Sequence, residues 1–448
     1  MNFLCRWARI SNTWQANVLV RVNSAGWITA IEQMSPWPDA SETEGPTANF
    51  DRAMPHDFVE LPGAVLPAPV NVHSHAFQWG FAGLSEFRTA SEDSFWTWRD
   101  QMFAFLEQLD PDRMYQVARD LYERMRRAGY ACVGEFHYVH RAPDLSAYQP
   151  RGLLGDVLIS AALDAGLGIC LLPTLYQRGG FDDRPLAGGQ RRFGLSEEEF
   201  IEIVEAALTK WGDHPQVQIG IALHSLRAVK ADVGRRVVEH FRRLVPHGAV
   251  HMHVAEQQKE VEDCLAQTGK RPVEYLLEQF TVDSQWCLIH ATHLTPIEVE
   301  RLAATGAVVG LCPTTEANLG DGIFSGEEFL LRNPGRIAIG GDSHVGINPL
   351  AELRQLETSQ RLATRRRAVL CTERASCGEF LCDAVNRGGA QALTYPGGEI
   401  AVGKRADFLT LIDRSGGELT PRQLLDRAVF CDPAAVETAV VIGGVPVR

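Results

Sequence analysis

The sequence predicts an α/β fold: a (β/α)8 barrel with a small β-sandwich domain formed from both termini. Three observations predict it. Eight short apolar runs recur between residues 67 and 393, helical patterns separate most of them, and both ends of the chain read instead as turns and alternating strands. A doubly wound open sheet is the alternative arrangement of the same elements.

The 448 residues exceed one small domain and suit a large barrel with a smaller partner. From Phe3 to about Leu61, short alternating runs such as Ala16 to Val22 and Trp27 to Glu32 are broken by Gly26 and by the Pro- and Ser/Thr-rich stretch from Ser35 to Thr47. That pattern indicates a few strands, too few to close a core alone. Their complement lies at the other end, where Gly397 to Ile412 and Val436 to Val447 again read as turns and strands. We therefore expect residues 1–66 and 394–448 to form one composite β-sandwich domain, and residues 67–393 to form the barrel.

The candidate barrel strands are Val65 to His73, Tyr130 to Tyr138, Gly168 to Leu175, Val217 to His224, Ala249 to Val254, Trp286 to His290, Ala307 to Cys312 and Arg336 to Gly341. Several are apolar throughout, as parallel strands covered on both faces are. Helices are expected at Asp110 to Ala128, Ser196 to Trp211, Val233 to Leu244 and Lys259 to Ala266, several with acidic or serine residues at the start.

Hydrophobic residues make up 45% and charged residues 22%, the balance of an ordinary soluble globular protein. A net charge of −13 and a pI of about 5.6 argue against an electrostatic grip on nucleic acid or anionic membrane. An anionic small substrate remains compatible, because a few arginines in one cleft set the local potential. The ten cysteines are scattered, with no Cys-x-x-Cys pair, and read as reduced thiols of a cytoplasmic protein. The group Cys371, Cys377 and Cys382 fits no common metal-ligand spacing. Polar residues interrupt the first 20 positions, so no signal peptide is expected. No window offers the ~20 apolar residues of a membrane span.

A barrel carries its chemistry at the C-terminal ends of its strands. The first strand ends in His73 and His75, which face the same way because side chains alternate along an extended chain. A lone His-x-His more often packs than ligates, so the pair gains meaning only with partners elsewhere. The second strand ends with Glu135, His137 and Tyr138, the fourth with His224, and the fifth with His251, His253 and Glu256. The sixth supplies His290 and His293, and the eighth Asp342 and His344. His73, His75, one histidine of the fifth strand and Asp342 would give three nitrogens and one oxygen, a zinc-type set that keeps a position for water. His251 and His253 have the same parity; His253 lies nearer the mouth and three residues before Glu256, so it is the expected ligand. Iron and manganese also accept such donors.

In His73-Ser74-His75, His253-Val254-Ala255-Glu256, His290-Ala291-Thr292-His293 and Gly341-Asp342-Ser343, the chain resembles the amidohydrolase superfamily of metal-dependent TIM-barrel hydrolases. The likeness runs from Leu61-Pro62-Gly63 to Gly403-Lys404-Arg405-Ala406-Asp407. No lysine stands at the end of the fourth strand, where binuclear relatives carry a bridging one, so the resemblance implies a single divalent ion, zinc. Phe136-His137-Tyr138-Val139-His140, Gly189-Gln190-Arg191-Arg192-Phe193, His224-Ser225-Leu226-Arg227-Ala228-Val229 and Asn318-Leu319-Gly320-Asp321-Gly322 narrow it further. In these the chain resembles the formimidoylglutamate deiminases of histidine breakdown.

That resemblance implies hydrolytic deamination of N-formimino-L-glutamate to N-formyl-L-glutamate and ammonia, in a protein that often dimerises with itself. It implies Asp342 as ligand and acceptor of the water's proton, His290 as the group that steadies the attacking oxygen, and Glu256 as the proton carrier. Gln78, Arg99, Tyr138, His224 and Arg227 become substrate contacts. The substrate has two carboxylates, which arginine forks hold bidentately. Arg99 falls near the aromatic residues Phe95, Trp96 and Trp98, a stretch read as a lid.

Each role has a plainer rival. Glu256 could cap the next helix, His290 could be a satisfied rim histidine, and the arginines could make surface ion pairs. His137, His140 and His293 read as structural, and Arg191 and Arg192 are open. Rival functions are a guanine or adenosine-derivative deaminase, an enzyme for another formimino or guanidino acid, and a non-catalytic barrel scaffold.

Overall fold

The computed structural model describes residues 1–34, 58–84, 86, 95–414, 419–431 and 436–447, with the backbone alone at 95–97. The Ser35 to Thr47 stretch and the side chains of Phe95 and Trp96 lie outside the described residues. Two compact units divide the chain: Met1–Ala68 with Pro396–Arg448, and Pro69–Tyr395.

The first unit begins with β1 (Asn2–Ile10), β2 (Thr13–Val22), β3 (Ile28–Gln33) and β4 (Phe58–Pro67). The barrel strands follow: β5 (Asn71–Ser74), β6 (Cys132–His137), β7 (Gly168–Leu175), β8 (Val217–Ile219), β9 (Ile221–Ser225), β10 (Val250–Val254), β11 (Trp286–His290), β12 (Val308–Leu311) and β13 (Arg336–Ile339). β14 (Phe408–Asp413), β15 (Val436–Ile442) and β16 (Val445–Pro446) complete the first unit.

Both termini meet in one seven-stranded mixed sheet, in the order β16-β15-β14-β4-β1-β2-β3. Only the β1–β4 pair is parallel. Phe3, Val20, Ile28, Val65, Phe408 and Val441 fill its core, where the Phe3 and Phe408 rings meet edge to face at 5.5 Å. A helix, Pro421–Phe430, lies in this unit where the sequence reading placed none. Thr420 caps it, and Leu424, Leu425, Ala428 and Val429 form its buried stripe.

The second unit is a parallel barrel, ordered β5-β6-β7-β9-β10-β11-β12-β13, with β8 paired to β7. The ring nearly closes where Gly341 and Asp342 donate their backbone N–H groups to the His73 carbonyl at 3.0 and 2.9 Å. That closure places the end of the last strand beside the end of the first. Two strands are broken where one continuous run is expected. The run Val65 to His73 is two elements, because Pro69 has no N–H for a ladder; β4 ends at Pro67 and the barrel strand starts at Asn71. The fourth strand is split into β8 and β9 at Gly220, whose Cβ would come within 2.9 Å of the Ala249 carbonyl oxygen and 2.7 Å of Leu172. Elsewhere the helix starts follow from their caps. Asp110 accepts from the Arg113 N–H with Pro111 in the first turn, and Ser196 with Glu199 forms a reciprocal capping box.

Candidate active site

His73 lies in β5 and His75 directly follows its last residue, and their Nε2 atoms lie 3.5 and 3.3 Å from Asp342 Oδ1. His253, at the fourth position of β10, points its Nε2 at His73 Nε2 from 3.0 Å. All four side chains are buried. The ring orientations are set from behind. His75 Nδ1 donates to the Phe136 carbonyl at 3.0 Å and His253 Nδ1 to the His224 carbonyl at 2.9 Å, so each Nε2 presents a lone pair inward. Burial holds His73, His75 and His253 below the ordinary histidine range, in the neutral form that ligates. Inward lone pairs on His75 and His253, crowded against His73 Nε2 and beside a carboxylate, are what a divalent cation accounts for; the three histidines converge as one group that could hold it, and Asp342 converges with His73 and His290 in a second. His251, the alternative in β10, bonds the Ala392 carbonyl at 2.8 Å and does not line the cavity.

His290 ends β11. Its Nδ1 lies 3.1 Å from Glu316 Oε1, and its Nε2 makes no hydrogen bond but faces Glu256 Oε1 and Asp342 Oδ2, each at 3.9 Å. Burial alone would lower its proton affinity. The carboxylates of Glu256, Glu316 and Asp342 outweigh burial and push the imidazole up to about 10. Glu256 is buried on the same cavity, and burial pushes its carboxyl up. It caps nothing: Gln257 precedes the next helix without a side-chain bond, and Glu260 takes the backbone N–H groups of Ala255 and Glu256.

Ala255, His290, Ala291, Asp342 and His344 all take left-handed φ angles, between 48° and 68°. Each costs roughly 1–3 kcal/mol in a non-glycine residue, and all five stand at strand ends that carry the site.

Gln78, Arg99, Tyr138, His224 and Arg227 line one cavity with His75, His253, Glu256, His290 and Asp342. Gln78 donates to the Tyr138 hydroxyl at 3.0 Å, and Arg227 Nη2 approaches Glu256 Oε2 at 3.9 Å. Among the described residues the Arg227 guanidinium makes no hydrogen bond, although its residue is largely buried. Trp98 also lines the cavity, with Met102, Phe103 and Phe193.

Other residues named from the sequence stand behind this face. Glu135 accepts from Ser74 Oγ at 2.6 Å, the Ala76 N–H at 2.8 Å and the Tyr122 hydroxyl at 2.9 Å, which fixes the turn that aims His75. His344 meets the same Ser74 hydroxyl at 3.1 Å. His140 bonds the Thr174 carbonyl, with the His137 ring 5.0 Å away, and neither lines the catalytic cavity; nor does His293. Arg192 is buried and ties down the carbonyls of Arg141, Leu106 and Leu109, whereas Arg191 is exposed. Cys371, Cys377 and Cys382 form no ligand cluster among the described residues. Three residues at the site escaped the sequence reading. Tyr176 follows β7, Gln190 lies in the quoted Gly189 to Phe193 motif, and Glu316 sits on the helix Pro313–Leu319. The position just past a barrel strand could have pointed to Tyr176; no local signal points to Glu316.

The profile of the amidohydrolase family matches residues 64–447. The chain belongs to the amidohydrolase family. This amidohydrolase is 43% identical over 408 residues to the formimidoylglutamate deiminase of Pseudomonas aeruginosa, covering 90% of this chain and 84% of that one. It is 25% identical over 433 residues to the 5-methylthioadenosine/S-adenosylhomocysteine deaminase of Shouchella clausii, covering 94% and 87%. Among solved structures, an amidohydrolase from Brucella melitensis superposes with a TM-score of 0.89 at 39% identity, over 99% of this chain and 94% of that one. An adenosine deaminase from Xanthomonas campestris with bound zinc shares the fold at a TM-score of 0.77 and 22% identity, over 99% and 92%.

Proposed function

We propose that this amidohydrolase hydrolyses N-formimino-L-glutamate to N-formyl-L-glutamate and ammonia, with one bound divalent ion, zinc. The observation that carries the reading is the presence of two arginines, Arg99 and Arg227, on the cavity that holds Glu256, His290 and Asp342. Two fixed cations suit a dicarboxylate, and they are a poor match for a flat neutral purine. The name of the 43% identical relative supports the same substrate.

His73, His75, His253 and Asp342 would hold the ion. When bound, a divalent ion lowers the pKa of water from ~15.7 to about 7 and so supplies a nucleophile at neutral pH. Asp342 takes the water's proton through a carboxylate oxygen. His290 turns Nε2 toward the same space and steadies the attacking oxygen. Glu256, whose carboxyl burial pushes up, gives a proton to the imine nitrogen, then takes the proton left on the attacking oxygen and passes it to the departing amine. The water oxygen thereby becomes the formyl oxygen, and the nitrogen leaves as ammonia. Arg99 and Arg227 grip the carboxylates, while Gln78, Tyr138 and His224 orient the chain between them. The reading places the enzyme in histidine degradation, as a cytoplasmic homodimer. Support for the compartment is that all ten cysteines are free thiols.

The test is steady-state ammonia release from N-formimino-L-glutamate, N-formimino-L-aspartate, a guanidino acid, guanine and adenosine, alongside metal analysis. The glutamate compound should be strongly preferred, with about one metal per chain. Turnover of a purine alone removes the substrate assignment, and absence of both metal and hydrolysis supports a scaffold instead.

A further inference from the structure

Tyr176 directly follows β7, is 3% exposed, and lines the cavity between the barrel strands that carry Tyr138 and His224. Its ring packs on His224 with centroids 4.4 Å apart. Gln190 Nε2 donates to the Tyr176 hydroxyl at 3.0 Å, and this is the hydroxyl's one hydrogen bond among the described residues. The direction of that bond is set by the other half of the amide, because Gln190 Oε1 accepts the Ala187 N–H at 3.3 Å. A phenol carries one hydrogen, and an oxygen that already accepts from Gln190 keeps that hydrogen to give away. Nothing in the described cavity takes it. The phenol is also an electrostatic neighbour of both Arg99 and Arg227.

A carboxylate offers about four lone-pair positions, more than a single guanidinium fork occupies. We propose that Tyr176, oriented by Gln190, is a specificity-determining residue whose hydroxyl donates to one carboxylate of the substrate alongside Arg99 and Arg227. This rests on the dicarboxylate reading above and deepens it: the third barrel strand supplies a neutral donor to an anion site otherwise built from two cations. A neutral donor adds selectivity without adding repulsion between the guanidiniums. It also makes a demand of geometry, because a hydroxyl held from one side by Gln190 serves one carboxylate of the two.

The experiment compares the metal-loaded wild type with Tyr176→Phe on three compounds: N-formimino-L-glutamate, 4-formimidamidobutanoate, which lacks the α-carboxylate, and N-formimino-2-aminobutanoate, which lacks the side-chain carboxylate. Wild-type turnover of the parent compound tests the underlying reading separately; without it, both that reading and this inference fall. Given turnover, Tyr176→Phe should raise KM for the parent roughly 10–100-fold and leave kcat within about 3-fold. The penalty in kcat/KM should persist on one analogue and shrink to within about 3-fold on the other. An unchanged KM for the parent, or an equal penalty on both analogues, overturns the inference and leaves the dicarboxylate reading intact.

Discussion

Glu316 holds the back of His290: Oε1 of the one lies 3.1 Å from Nδ1 of the other, while His290 Nε2 faces Glu256 and Asp342. The same carboxylate oxygen accepts the Cys312 N–H at 2.9 Å, so it is pinned to the start of its own helix. A ring held in this way cannot turn over, and the nitrogen that faces the reacting centre is always the same one.

Replacing the carboxylate by an amide therefore tests orientation and charge together. Glu316→Gln should lower kcat by roughly 10–100-fold with little change in KM, since Glu316 does not line the cavity. Steady-state kinetics on the formimino substrate would read it, and a kcat at the wild-type level would remove Glu316 from the account.

Glu256→Gln separates proton transfer from metal binding. Glu256 is in none of the groups of side chains that converge closely enough to hold an ion, so the variant should keep its metal content while kcat falls by about 10²–10⁴-fold. Metal analysis and ammonia release on the same preparation decide it. If the variant keeps full activity, another group carries the proton.

Stripping the metal with a chelator should abolish turnover and lower the thermal midpoint by roughly 5 °C, because an ion held as proposed by His73, His75, His253 and Asp342 would stabilise only their folded arrangement. Zinc should restore both. A stripped protein that melts unchanged and still turns over would show that these four side chains hold no functional ion.

Glu352, which does not line the cavity, gives a pH dependence of stability. It is fully buried, accepting from the Thr314 N–H at 2.9 Å and Thr314 Oγ1 at 2.6 Å, and burial pushes its carboxyl from 4.5 up to about 8. Between those values the folded state binds a proton that the unfolded state has lost. Stability therefore falls as pH rises from about 5 to 8, by at most ~1.4 kcal/mol per pH unit for this group. Glu352→Gln, neutral throughout, should gain stability relative to wild type across that window in melting experiments. A difference that does not change with pH would contradict the assignment.

Much of this was legible in the residues. The strand ends at Leu175, Val254 and His290 matched the expected positions to the residue, because short apolar runs with turn signals behind them have few other fates. Strand parity put His73 and His75 on one face, and the histidines and carboxylate at other strand ends gave the pair its meaning. The break before Asn71 and the split at Gly220 were not legible, since each depends on what packs or bonds beside it in space.

Motif and period were enough to name the barrel, the two-residue histidine step and the acidic residues at strand ends, because each is a local property of adjacent positions. Finding the Ala392 carbonyl that holds His251, setting Glu316 behind His290, and giving Glu260 rather than Glu256 the backbone N–H contacts ahead of the next helix required the folded chain. The physical reason is range: a strand's parity spans two residues, but the bonds that aim these rings come from elements that meet only when the eighth strand returns to the first.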